Sequence, residues 1–294
     1  MGAPVVAIGD AVVDVLEEPD GPQQRFRGGA ALNTAVGLSI LGHTVVQIAA
    51  VGRDRDGFWL ERYLREHGVR LVRSRSCDFT GVATSRRVDG EPTYTFNAAL
   101  VRRRLLPPDS AHGLMAEATA VVVNAYPFDD ATQVEALCAM LQNATGLRVL
   151  DPNPREALIR EAAAYRTGFE RTLAHIDFVK ISEQDIALVY DGSEADAVDR
   201  IGSCGPSLVL LTRGAGGATL LRVGRPELHA DAAASSRPVV DTLGAGDATL
   251  AAFVSRLLRL GPGPTDTNLH AALCFAMDVA AETARHHGGR LRLP

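Results

Sequence analysis

Arg148-Val149-Leu150-Asp151, Phe178-Val179-Lys180-Ile181-Ser182 and Leu208-Val209-Leu210-Leu211-Thr212 follow one another along the chain with helix-like stretches between them. Each run is short and apolar and turns polar at its last residue. Strands that alternate with helices pair in parallel through right-handed crossovers, because the intervening helix must pack back onto the sheet it left. Upstream, Val5 to Ile8, Val45 to Ala49 and Val121 to Val123 repeat the pattern. The chain therefore reads as α/β, with a mostly parallel central sheet. The residues that end these runs, Gly9-Asp10, Asn124, Asp151, Ser182 and Thr212, belong to the carboxyl rim of such a sheet, where ligands bind.

Gly81 to Asn97 reads differently. Val82, Thr84, Tyr94 and Phe96 alternate with other residues around Asp89-Gly90, a hairpin turn signal. The residues alone leave open whether this is an edge hairpin or a lid. There is no internal repeat, low-complexity tract or linker, and Gly261-Pro262-Gly263-Pro264 reads as a turn between helices. Residues 1–294 are thus expected to form a single domain.

Hydrophobic residues make up 46% of the 294 and charged residues 22%, which excludes a disordered or fibrous chain. A formal charge of −5 gives no general attraction to nucleic acid or anionic membrane, so the partner is expected to be a small molecule. No apolar run is long enough to span a bilayer, and Met1 to Val5 lacks the charged and apolar regions of a signal peptide. The four cysteines, Cys77, Cys138, Cys204 and Cys274, are too far apart for a metal or redox motif and read as buried free thiols. A reduced, cytoplasmic protein is expected. None of the histidines lies in a motif, and adjacent His286 and His287 point apart on a helix, so they read as surface residues. The arginine clusters Arg70 to Arg75 and Arg102 to Arg104 read as solvated faces.

Of the 30 basic residues, Lys180 is the only lysine. It has no glycine loop beside it, which argues against a P-loop, and it ends an apolar run, which argues against a Schiff-base amine.

Asp241-Thr242-Leu243-Gly244-Ala245-Gly246-Asp247 leads into a strongly helical stretch. Small residues at a helix start let a ligand approach the unpaired amides of the first turn, and the helix dipole favours an anion there. Asp247 in that turn is placed to accept a proton from a hydroxyl. The same residues could simply cap and pack the helix. Gly28-Gly29-Ala30-Ala31-Leu32-Asn33 opens a second helix, with Asn33 offering a donor and an acceptor to hydroxyl groups. A turn that needs positive φ, with Asn33 as a cap, explains it equally well.

Together the two motifs resemble the signatures of the PfkB-type, ribokinase-like carbohydrate kinases, closest to the fructokinase-like branch. The first signature continues through Leu41-Gly42 to Val51-Gly52-Arg53-Asp54-Arg55-Asp56-Gly57. The resemblance covers the whole chain. It implies a three-layer α/β/α sandwich and a small β-sheet lid, formed mainly by about 81–103 and part of about 11–27. It also implies an ATP-dependent sugar kinase that uses Mg²⁺. Asp247 would be the general base, and the amides of Gly244, Ala245 and Gly246 would form the anion hole. Asp14, Gly28, Gly29 and Asn33 would hold the sugar, with Asp10 at a position that is often acidic in fructokinase-like members and Phe96 on the lid. Thr212, Gly214 and Gly217 would form the nucleotide-phosphate loop, and Ser182, Thr242 and Arg155 would also lie on the nucleotide side.

The chain departs from the family where Ser182-Glu183-Gln184-Asp185 replaces Asn-x-x-Glu, which puts Asp185 at the metal position. Met277 stands where relatives carry an asparagine. Asp151-Pro152-Asn153-Pro154-Arg155 is similar to a segment of fructokinases and 2-keto-3-deoxygluconate kinases, so the resemblance implies fructose or a related keto sugar. The alternatives are a 2-keto-3-deoxygluconate, ribose or nucleoside kinase, or a non-catalytic sensor. A monovalent cation such as K⁺ and a homodimer are further expectations.

Overall fold

The computed structural model describes residues 2–17, 22–74, 79–88, 91–109, 111–233 and 237–294. Asp89-Gly90, Cys77 and Arg75 lie outside them. In chain order the elements begin with β1 (Val5–Gly9), β2 (Val12–Glu17), β3 (Gln24–Gly28), α1 (Ala30–Ile40), β4 (Val45–Ala49), α2 (Arg55–Glu66) and β5 (Val69–Arg73). There follow β6 (Val82–Val88), β7 (Glu91–Phe96), α3 (Ala98–Val101), α4 (Ala111–Glu117), β8 (Ala120–Asn124), α5 (Ala131–Gln142), β9 (Leu147–Asp151) and α6 (Ala162–Leu173). The remainder is β10 (Phe178–Ser182), α7 (Glu183–Val189), α8 (Glu194–Ser203), β11 (Leu208–Thr212), β12 (Ala218–Arg222), β13 (Leu228–Ala230), α9 (Ala245–Leu260) and α10 (Asp266–Thr283).

The large sheet runs β13-β12-β11-β10-β9-β8-β1-β4-β5. Every pairing from β11 through to β5 is parallel, and β12 and β13 extend that edge antiparallel. All six sequence-read runs fall on parallel strands. They are buried on both faces, which is why they read as continuous rather than alternating apolar stretches. The second sheet, β3-β2-β6-β7, contains the hairpin expected around Asp89-Gly90, with β6 and β7 antiparallel.

Strand side chains alternate between two cores. Val5, Ala7 and Phe178 pack with α1, α2, α9 and α10 on one side, and Val6, Ile8, Val179 and Ile181 pack with α4 to α8 on the other. The result is a three-layer sandwich. Phe178 meets Phe253 with ring centroids 5.3 Å apart, a pairing worth about 1 kcal/mol beyond its buried area. That contact fixes α9 over β10. Gly37 of α1 allows close approach on the same side, since a Cβ there would lie 3.0 Å from the Ala251 methyl.

Three expectations change. Arg103 is not on a solvated face: its side chain is 8% exposed and pairs with Asp10. Cys138 is buried, but Cys204 and Cys274 are only partly so. His43 is half-buried against Ser255, 2.8 Å from its hydroxyl, and burial lowers its pKa. Among the described residues no helix is long and apolar enough to cross a membrane.

Candidate functional site

At the amino end of α9 the chain turns through Gly244, whose φ of 75° is left-handed. A Cβ at Gly244 would lie 2.4 Å from the Cα of Gly289, and one at Gly289 would lie 2.4 Å from Nδ2 of Asn33. Side chains are thus excluded at both glycines, and the α9 turn, the start of α1 and the 288–289 loop lock together. Asp241 reinforces the lock by accepting from the backbone N–H groups of Leu243 and Gly288, each at 2.9 Å. Asp247 lies in the first turn, 7% exposed, and its Oδ2 accepts from Asn33 Nδ2 at 2.9 Å. Burial raises the Asp247 pKa above the usual carboxylate range, while the Asn33 hydrogen bond and the charges of Lys180 and Arg155 oppose that rise.

Asp14 projects from β2 into the space beside Gly28, where a Cβ would fall 1.7 Å from its Oδ2. Val12 and Gly28 are register partners on β2 and β3, so the pairing of the small sheet itself delivers the carboxylate to this spot. Burial pushes the Asp14 pKa up to about 7; Arg155 opposes this, and Asp247 and Asp241 add to it. Gly29, at φ 101°, sits against the carbonyl of Asp10, and Leu32 at the start of α1 donates to that carbonyl at 3.2 Å. The Asp10 carboxylate lies 2.9 Å from Arg103 Nε, and its pKa is raised by burial against the pull of Arg103 and Arg155.

Lys180 and Asp151 form a buried ion pair across β10 and β9, with Nζ 3.0 Å from Oδ2. Burial raises the Asp151 pKa to about 7 despite the lysine, with Asp185 and Asp247 adding to the rise. Asp185, at the start of α7, is engaged in a capping box: its Oδ2 accepts from the Ser182 N–H at 2.8 Å, and Ser182 Oγ accepts from the Asp185 N–H at 3.1 Å. Among the described residues there is no cluster of three or more side chains suited to holding a metal. A Mg²⁺ carried on nucleotide phosphates needs only one or two protein carboxylates, and the buried Asp185 fits that role.

Thr212 is the register partner of Ser182 on the same rim. Beyond it Gly214–Gly216 forms an exposed 3-10 turn, and Gly217, at φ 79°, packs against β13, where a Cβ would lie 2.2 Å from the Ala230 carbonyl. Thr242 is exposed, and its carbonyl accepts from Ala245 N–H. Arg155 is exposed and donates to Asn153 Oδ1 at 2.7 Å. Its charge acts on Asp10, Asp14 and Asp247 together. Phe96 is half-buried at the end of β7 opposite Ala83.

The fold thus brings Asp10, Asp14, Gly28, Gly29, Asn33, Arg155, Asp185 and Gly244 to Asp247 into one contacting or electrostatically linked group. Phe96 lies at the end of β7 and Gly214 and Gly217 in the turn after β11. Sequence reading did not find Arg103, Gly289 or the Lys180–Asp151 pair, since each acquires its meaning from a residue far along the chain. The one available signal was the solitary lysine at Lys180.

Residues 3–294 match the family described as pfkB family carbohydrate kinase. The chain is 33% identical over 310 residues to a fructokinase of Salmonella typhimurium, covering 100% of this chain and 97% of that protein. A fructokinase of Escherichia coli is 29% identical over 305 residues, with coverages of 100% and 97%. The fold is shared with a fructokinase from Xylella fastidiosa solved with bound ATP, with a TM-score of 0.82, 21% identity and coverages of 98% and 94%. It is also shared with a fructokinase from Vibrio cholerae O395 in its fructose, ADP and calcium ion bound form, with a TM-score of 0.80, 22% identity and coverages of 98% and 94%. A family match over almost the entire sequence, on a two-sheet α/β fold common to solved sugar kinases, establishes that this chain belongs to the pfkB family of carbohydrate kinases.

Proposed function

We propose that the protein transfers the γ-phosphate of ATP to a hydroxyl of fructose, with Asp247 as general base. The observation that carries this reading is the buried Asp247 carboxylate, held by Asn33 in the first turn of α9 directly after the left-handed Gly244. The sugar is oriented by Asp14 and Asn33, and its attacking hydroxyl gives its proton to Asp247. The backbone N–H groups at Gly244, Ala245 and Gly246, where α9 begins, offset charge developing on the transferred group. Arg155 reaches the same region from the β9 side. Ser182, Thr212 and Thr242, with the turn from Gly214 to Gly217, contact the nucleotide. Mg²⁺, held on the protein side by Asp185, neutralises phosphate charge when bound. Fructose as substrate is supported by the full-length similarity to fructokinases and by the Asp151 to Arg155 segment. Activation by K⁺ and a homodimer formed through the small sheet belong to the same reading.

The test is ADP release with Mg-ATP against fructose, 2-keto-3-deoxygluconate, ribose, tagatose, inositol and adenosine. A fructose-dependent signal larger than any other supports the assignment; silence with fructose beside turnover of another member reassigns the substrate. A finer check lies at Gly28. Gly28→Ala forces the Asp14 carboxylate out of its place, and the KM for the sugar is expected to rise about tenfold, the size of one lost charge-assisted hydrogen bond. An unchanged KM removes Asp14 from the sugar site.

A further inference from the structure

Lys180 is 4% exposed, and its ammonium is held between two groups. Asp151 Oδ2 lies 3.0 Å from Nζ, and on the other side the backbone of Gly246 approaches so closely that a Cβ there would lie 3.2 Å from Nζ. Gly246 belongs to the first turn of α9, the positive end of the helix. Beside that end the charged form of Lys180 is favoured by Asp151, with Asp185 and Asp247 acting in the same direction against burial, although a buried ion pair is a weak source of stability in its own right. An anion arriving at that helix end meets the ammonium as well, and the two act on it together.

The choice of residue points the same way. The other 29 basic residues are all arginine. A guanidinium is a broad planar fork, whereas an ammonium is a compact point charge, and here Nζ sits 3.0 Å from Asp151 and close against Gly246. The lysine stands beside the turn from Gly244 to Gly246.

We propose that Lys180 is a positioning residue for phosphoryl transfer: clamped by Asp151 beneath Gly246, its ammonium adds fixed positive charge to the turn from Gly244 to Gly246 and favours the transferring phosphoryl group over bound ATP. This rests on the kinase reading above. Lys180 acts through the turn and through space and makes no bond to the substrate. Its removal therefore lowers kcat more than it alters KM.

Four proteins test this side by side: the parent, Lys180→Met, Lys180→Arg, and the double variant Lys180→Met with Asp151→Asn, in which both charges of the buried pair are removed. Each is assayed for kcat and KM with fructose and Mg-ATP, and its folding is checked by circular dichroism and urea titration. Lys180→Met is expected to lose on the order of 100-fold in kcat, the size of effect seen when one preorganised electrostatic group is removed, with both KM values within about threefold. The double variant is expected to fold with parent-like stability and remain slow, and Lys180→Arg to stay below about a tenth of parent activity because the turn is displaced. Recovery of parent kcat in the double variant overturns the proposal, since Lys180 then only neutralises Asp151; parent-like kcat in Lys180→Met or Lys180→Arg overturns it as well. A parent that turns over no sugar is a different result and refutes the kinase reading itself.

Discussion

Asp247→Asn is expected to lower kcat about 10³-fold, within the range contributed by a positioned general base, while ATP and fructose still bind. The asparagine is isosteric, so the packing of α9 against α1 is kept and Asn33 retains a carbonyl oxygen to donate to. What is lost is the group that takes the hydroxyl proton as the oxygen attacks. The pH profile supplies a second reading. Burial holds the Asp247 carboxyl above the ordinary carboxylate range, so the acidic limb of kcat is expected at a higher pH than for an exposed aspartate. Calorimetry with each ligand and rapid-mixing turnover measure the two halves. Near-parent kcat in the variant moves the base elsewhere.

Asp14→Asn is expected to act in two directions. In turnover it lowers kcat/KM for fructose about 100-fold, as a lost charged contact to a hydroxyl would. In stability it is a gain. The unfolded carboxyl has the ordinary value of 3.8, whereas the folded one is raised to about 7, so between those values the folded state holds a proton that the unfolded state has released. Raising the pH through that window therefore favours unfolding. At about 1.4 kcal/mol per unit the penalty above pH 7 approaches about 4 kcal/mol, an upper limit because Asp14 keeps part of its hydration. Asparagine carries no such penalty. Sugar-free urea titrations are expected to show the variant more stable than the parent by about 2 kcal/mol or more at pH 8, with the gap narrowing toward pH 5. Equal stability at both values assigns Asp14 an ordinary, hydrated carboxylate.

The parallel part of the large sheet was legible because its strands are covered on both faces and so appear as unbroken apolar runs. β5 escaped notice because Arg70 and Arg73 interrupt it, and it reads as a basic cluster. β12 and β13 are short antiparallel additions at the edge, without the strand-helix alternation that marked the others. At the site, Asp247 and the glycines before it were readable because one contiguous segment carries turn, helix end and carboxylate. Asn33 was recognised as polar and close to a turn, but its partner lies 214 positions away, and no local pattern encodes such a pairing. The same holds for Arg103, which sits in a row of three arginines and differs from its neighbours only because Asp10 lies opposite it.

The buried Lys180 has a consequence outside catalysis. A lysine-specific protease finds a single target in this sequence, the Lys180–Ile181 bond, and it lies inside β10, hydrogen-bonded to β11 and flanked by β9. Local fraying at loops or helix ends does not expose it; the centre of the sheet must open first. Cleavage of the native enzyme by such a protease therefore counts openings of the core alone, giving the protein a built-in reporter of its global unfolding.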